Sequence, residues 1–145
     1  MSDGRFFDEY PRFYESSRTA AHADRLNARH EAIIGRTREL LSGRRVLDLA
    51  SHDGRWSFAA LHAGARHVTG IEARPHLIEH ARGTFSAYGV APERYTFRQG
   101  DVFDLLSTES FEVDVVLCLG FMYHTIRHVE LVKLLADTGA RHVVV

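Results

Sequence analysis

The sequence predicts an α/β fold: a doubly wound, mainly parallel sheet with helices on both faces. Three observations carry that expectation. Short strand-like apolar runs alternate with segments of helical period from residue 25 onward. Glycine or proline stands at most of the junctions. Residues 113–119 are almost continuously apolar, as a strand covered on both faces must be.

Each element has its own justification. Residues 1–24 are rich in aromatics and charge without a clean period and read as an N-terminal arm or lid, or as an extra helix packed to the sheet edge. Residues 25–145 then form one domain, since 145 residues with 45% hydrophobic content support a single core. Leu26, Ile33, Ile34, Leu40 and Leu41 share a helix face that ends near Ser42 and Gly43. Residues 45–50 are the first strand, followed by a polar turn over Ser51, His52, Asp53 and Gly54. The next helix carries Trp56, Ala59, Ala60 and Ala63 and is closed by Gly64. Residues 67–71 make a second strand, and Pro75 opens a helix whose apolar face runs through Leu77, Ile78, Ala81, Phe85 and Tyr88. Strands at 95–98 and 113–119 follow, then a helix around Leu131 and Leu135. The sequence closes in a fifth apolar run, 141–145. A hydrophobic strand there invites pairing, so either further chain or a second copy is expected to cover that edge.

Composition narrows the function classes. Eighteen basic and 19 acidic residues are mixed along the length, for a net charge of -1, so nothing marks the footprint of a long polyanion and nucleic acid is not favoured as a partner. The lone Cys118 excludes an internal disulfide and suits a reducing compartment, which together with the absence of an export-type N-terminus predicts a cytoplasmic protein. No run approaches the roughly 20 apolar residues of a membrane span.

Three places carry chemistry. The turn from Asp48 through Ala50, Ser51, Asp53 and Gly54 joins a buried strand to a helix and offers backbone N–H groups at the helix's positive end; an ordinary connection with Asp53 as the N-cap is the plainer reading. The second strand runs out at Glu72 and Ala73, where a carboxylate can accept ribose hydroxyl protons. The third ends in Gly100, Asp101 and Val102, an acid able to accept from an adenine amino group. Carboxylates at three successive strand ends favour a nucleoside pocket over three solvated loop acids.

In this order of motifs, residues 44–145 resemble the class I S-adenosylmethionine-dependent methyltransferases. The resemblance implies S-adenosylmethionine as cofactor and S-adenosylhomocysteine as product. It assigns Asp48 to the methionine amino group, Glu72 to the ribose, Asp101 to the adenine, and the backbone at Leu119 and Gly120 to the methionine part. Where the family has three glycines in its first motif, this sequence has Ala50, His52 and only Gly54. Histidine is among the residues enriched at positive φ, so the bend is expected to survive.

For methyl transfer itself, Tyr123 and His124 follow the fourth strand, His124 as a general base for a hydroxyl or, equally, as a structural histidine. The resemblance implies that an N-terminal extension contributes to the acceptor pocket, and Tyr10, Tyr14 and Arg18, whose spacing of four puts them on one face if the arm is helical, are its candidates. His76 with His80 and His124 with His128 have a spacing that can hold metal, but no metal is expected, and His76 and His80 are placed on a solvated outer face. The expected reaction is O-methylation of a small molecule or glycan hydroxyl. The alternatives are a non-catalytic methyltransferase-like module and an NAD(P)-dependent oxidoreductase, the latter lacking the G-x-G-x-x-G fingerprint.

Overall fold

The computed structural model describes residues 5–16 and 23–145. A 3-10 turn (Phe6–Glu9) leads to α1 (Arg12–Glu15), and α2 (Ala23–His30) continues through a π-type turn (Glu31–Gly35) into α3 (Arg36–Leu41). The alternating part comprises β1 (Arg45–Leu49), α4 (Arg55–His62), β2 (His67–Glu72), α5 (Pro75–Ala87), β3 (Tyr95–Gln99), α6 (Val102–Thr108), β4 (Val115–Leu117), α7 (His128–Asp137) and β5 (His142–Val144). All four pairings are parallel, in the order β3-β2-β1-β4-β5. The order reverses between β1 and β4, the place where a crevice opens in folds of this kind.

Strand alternation sorts the core into two layers. Val46, Val68, Val115 and Leu117 face α2 to α5, joining Ile34, Phe58 and Phe85. Leu47, Leu49, Ile71 and Val116 face the opposite way, against Phe103, Leu131 and Leu135 of α6 and α7. Each of these fully buried side chains contributes about 1.5–3 kcal/mol relative to exposure.

The start of the chain belongs to the first layer. Phe7 and Phe13 are wholly buried, edge-on to Trp56 and tilted against Phe58 respectively. The Arg12 backbone N–H donates to the Tyr88 hydroxyl at 3.1 Å, and its Nε donates to Thr84 Oγ1 at 3.1 Å. Residues 5–16 are thus fastened across α4 and α5.

Two elements differ from the sequence expectation. The fourth strand is shorter than 113–119, because the Asp114 carboxylate turns to accept from the Arg45 backbone N–H (2.9 Å) and guanidinium. Helix α6 was not expected: the run is too short for a clear period, and its start depends on Asp101 Oδ1 accepting from the N–H groups of Phe103 and Asp104. Strand β5 does lie at the sheet edge, with Val143 41% exposed. No helix among the described residues is long and apolar enough to cross a membrane.

Candidate active site

A cleft of about 880 Å³ opens above the carboxyl ends of β1, β2 and β4. That volume lies toward the upper end of the range for small-molecule sites, about 300–1,000 Å³.

The turn after β1 shapes its floor. Ala50 and His52 hold φ of 53° and 56°, the left-handed region that glycine occupies without cost, and Gly54 follows at 80°. Glu72 holds this bend: its Oε2 accepts from the His52 backbone N–H at 2.9 Å. A Cβ on Gly54 would stand 3.0 Å from both Phe85 and Phe97, so this glycine allows α4 to close onto α5 and β3. Two buried side-chain atoms of the turn, Ser51 Oγ and His52 Nδ1, have no hydrogen-bond partner among the described residues. The orphaned Ser51 hydroxyl, in a residue that lines the cleft, suits a polar ligand, whereas His52 Nδ1 faces the buried Asp53 carboxylate 3.6 Å away.

Of the predicted cofactor residues, Ala50, Ser51, Glu72, Ala73, Gly100, Asp101, Val102, Leu119 and Gly120 line the cleft. Three do not. Asp48 shares strand parity with Val46, so its side chain enters the α4 layer, where Ser57 Oγ donates to Oδ2 at 2.6 Å. Burial raises the Asp48 carboxyl to about 7, against the opposing Ser57 hydrogen bonds. Asp53 is fully buried below the turn, accepting from Ser16 Oγ and from Arg55 Nε (2.8 Å) and Nη2 (2.7 Å). Burial pushes its carboxyl up, but the His52 imidazole beside it, 3.6 Å away, and the Arg55 hydrogen bonds outweigh that and hold it well below the ordinary range. Nor is it the N-cap of α4, a position held by Gly54.

Glu72 is 3% exposed, yet burial's upward push is again overcome, here by Arg74 and by the His52 N–H, leaving the carboxyl lowered. Arg74 donates to it through its backbone N–H (3.0 Å) and Nε (2.8 Å), while its own side chain stays 55% exposed.

On the far side, Tyr123 and His124 line the cleft from a 3-10 turn (Met122–His124), their rings 4.4 Å apart. Tyr10 and Tyr14 do not line it. Tyr10 packs edge-on to Phe58 and Tyr88, and the Tyr14 hydroxyl donates to Asp8 (2.6 Å) and accepts from Asn27 (2.8 Å). Arg18 lies outside the described residues. His76 is exposed at the border of the cleft, whereas His80, expected on the same solvated face, is half-buried with its Nε2 unpartnered among the described residues, and His128 Nε2 donates to the Met122 carbonyl at 2.8 Å. Among the described residues no three His, Cys, Asp or Glu side chains converge as a metal centre.

Comparison with known proteins decides the family. The model of a methyltransferase domain matches residues 46–141, which hold the entire alternating sheet apart from its last strand. The chain belongs to the methyltransferase domain family. No curated protein sequence matches it. Among solved structures, an S-adenosylmethionine-dependent methyltransferase from Thiobacillus denitrificans, crystallised with S-adenosylhomocysteine, is similar at 30% identity over 76% of this chain, with a TM-score of 0.62. Arabidopsis thaliana protein arginine methyltransferase 10 is 27% identical over 64% of the chain, with a TM-score of 0.55. The chain spans 43% of the first protein's own length and 25% of the second's. A Streptococcus pyogenes protein at 19% identity and TM-score 0.64, matching 77% of this chain and 68% of its own, shares the fold.

This methyltransferase domain uses S-adenosylmethionine, and the cleft residues fit it: an acid at the end of β2, an acid and small residues after β3, and the orphaned Ser51 hydroxyl in the first turn. The family excludes the oxidoreductase alternative. Sequence reasoning missed several cleft residues: Ser16, Arg29, Arg55, Trp56 and Arg74. Only Arg55 and Arg74 stood near recognisable motifs; Ser16 and Arg29 reach the cleft through tertiary packing of the first helices.

Proposed function

We propose that this domain transfers a methyl group from S-adenosylmethionine to a hydroxyl oxygen of a small molecule or glycan, with His124 as the base. The observation that carries the reading is the placement of Tyr123 and His124 on the cleft wall opposite the Glu72 floor, so that one crevice offers both a nucleoside site and an imidazole. The balanced charge supports a small acceptor over a polyanion.

In this reading Glu72 holds the ribose hydroxyls, with Arg74 releasing the carboxylate as they arrive. Asp101 keeps Oδ1 on the α6 N-terminus and leaves Oδ2 for the adenine amino group. Ala50, Ser51, Leu119 and Gly120 border the methionine part. Asp48 acts from beneath, supporting α4 through Ser57. The cofactor supplies an electrophilic methyl carbon on a sulfonium, whose C–S electron pair departs with sulfur as the acceptor oxygen bonds to carbon. His124 takes the hydroxyl proton, and alignment within the cleft supplies most of the remaining rate. Residues 5–16 brace the wall, with Ser16 at its rim. The unpaired Cys118 thiol, raised by burial to about 11, suits the reducing cytoplasm.

Calorimetric titration of the chain with S-adenosylhomocysteine, beside NAD, tests the cofactor half. Selective binding of the former is expected; binding of neither, in a folded chain, overturns the reading.

A further inference from the structure

One cation of the cleft is held by no carboxylate among the described residues. Arg55 is committed to Asp53 and Arg74 to Glu72, but Arg29, also lining the cleft, has no acidic partner among the described residues. It reaches the cleft from α2, with its guanidinium carbon 5.3 Å from the centroid of the Trp56 ring, itself only 6% exposed. A guanidinium stacked on an indole is oriented by the ring while its in-plane N–H donors stay available. Arg25 and Arg55 add like charge to its surroundings, Arg55 being itself paired with Asp53. A half-buried cation with like charge near it and no carboxylate partner is stabilised when an anion completes it.

We propose that Arg29 is the anion-recognition residue of the acceptor site, so that the methyl acceptor is a hydroxyl compound carrying a carboxylate or phosphate. The inference rests on reading the cleft as the methyl-transfer site and adds the acceptor's charge to it. Arg29 shares the cleft with Tyr123 and His124, and an acceptor bridging the two would have its anionic end fixed by the planar fork and its hydroxyl beside the imidazole. The guanidinium takes carboxylate or phosphate through two parallel N–H donors, which an ammonium cannot reproduce.

The test uses the full chain saturated with S-adenosylhomocysteine, titrated with benzoate and phenyl phosphate as charged probes and benzamide as the neutral one. At least one charged probe is expected to bind tenfold or more tightly than benzamide, with that preference lost in Arg29→Gln and partly kept in Arg29→Lys. S-adenosylhomocysteine affinity should change less than twofold in both variants, and an unchanged melting temperature establishes that they fold. Failure of the wild type to discriminate the probes overturns the proposal. A tenfold loss of S-adenosylhomocysteine affinity in Arg29→Gln also overturns it, by assigning the guanidinium to the cofactor carboxylate. If wild type does not bind S-adenosylhomocysteine at all, the methyltransferase reading of the cleft fails instead.

Discussion

Asp48, Asp53 and Glu72, on the β1–β2 side of the cleft, are each 3% exposed or less, whereas beyond β4 Tyr123 is 78%, Val129 87% and Ile126 97% exposed. On the first side every carboxylate has a named partner, and two non-glycine residues are held at positive φ. On the second, a 3-10 turn and the outer face of α7 meet solvent with apolar side chains. The comparison teaches how the work is divided. One wall is preorganised before any ligand arrives and the other is left accessible, which in the proposed reading suits a cofactor on the first and an exchanging acceptor on the second.

Four experiments would break or sharpen that division. His124→Ala, on the open wall, should lower turnover by about 10²-fold or more while S-adenosylhomocysteine affinity stays within twofold, measured by methyl transfer and by calorimetry. Equal turnover would return His124 to a structural role.

Asp48, on the closed wall, should make stability depend on pH. Its folded-state carboxyl is raised to about 7, so the folded chain holds a proton that the unfolded chain gives up from about pH 4. Stability should therefore fall by roughly 1.4 kcal/mol per pH unit as pH rises through that window, and stay low above it. Asp53 and Glu72, whose carboxyls are lowered, act oppositely and at more acid pH, their contribution being lost as pH falls. Asp48→Asn should flatten the slope between pH 5 and 7 in thermal melts; an unaltered slope would mean that water reaches this carboxylate.

Glu72→Ala should weaken S-adenosylhomocysteine binding by about 1–3 kcal/mol through lost charge-assisted hydrogen bonds. Unchanged affinity in a folded variant would remove Glu72 from the cofactor site. Val129→Ser, outside the preorganised wall, should leave stability within about 0.5 kcal/mol by denaturant titration. A larger loss would show that α7's outer face is covered in solution.

The same contrast explains what could be read from the chain. The parallel sheet was legible because burial on both faces forces apolar runs, and Glu72 and Asp101 because strand ends place them without further information. Asp48 and Asp53 were read as ligand-facing although they point into the α4 layer, since sequence gives a residue's place on a strand more readily than which layer its partner occupies. Tyr10 and Tyr14 were drawn to the acceptor pocket by an assumed helical period; α1 begins only at Arg12, and their rings settle on Phe58 and Asn27. Arg29 was invisible because nothing local distinguishes a helix cation facing water from one facing a crevice.

Asp53 gives the turn a second hold. Its carboxylate takes Ser16 from the chain's first helical segment and Arg55 from the start of α4, so a bend that sequence-adjacent residues would leave springy is pinned from 37 residues away. In mechanical terms the cofactor turn is a clamped beam rather than a cantilever, and its shape is set as much by the chain's beginning as by the turn's own residues.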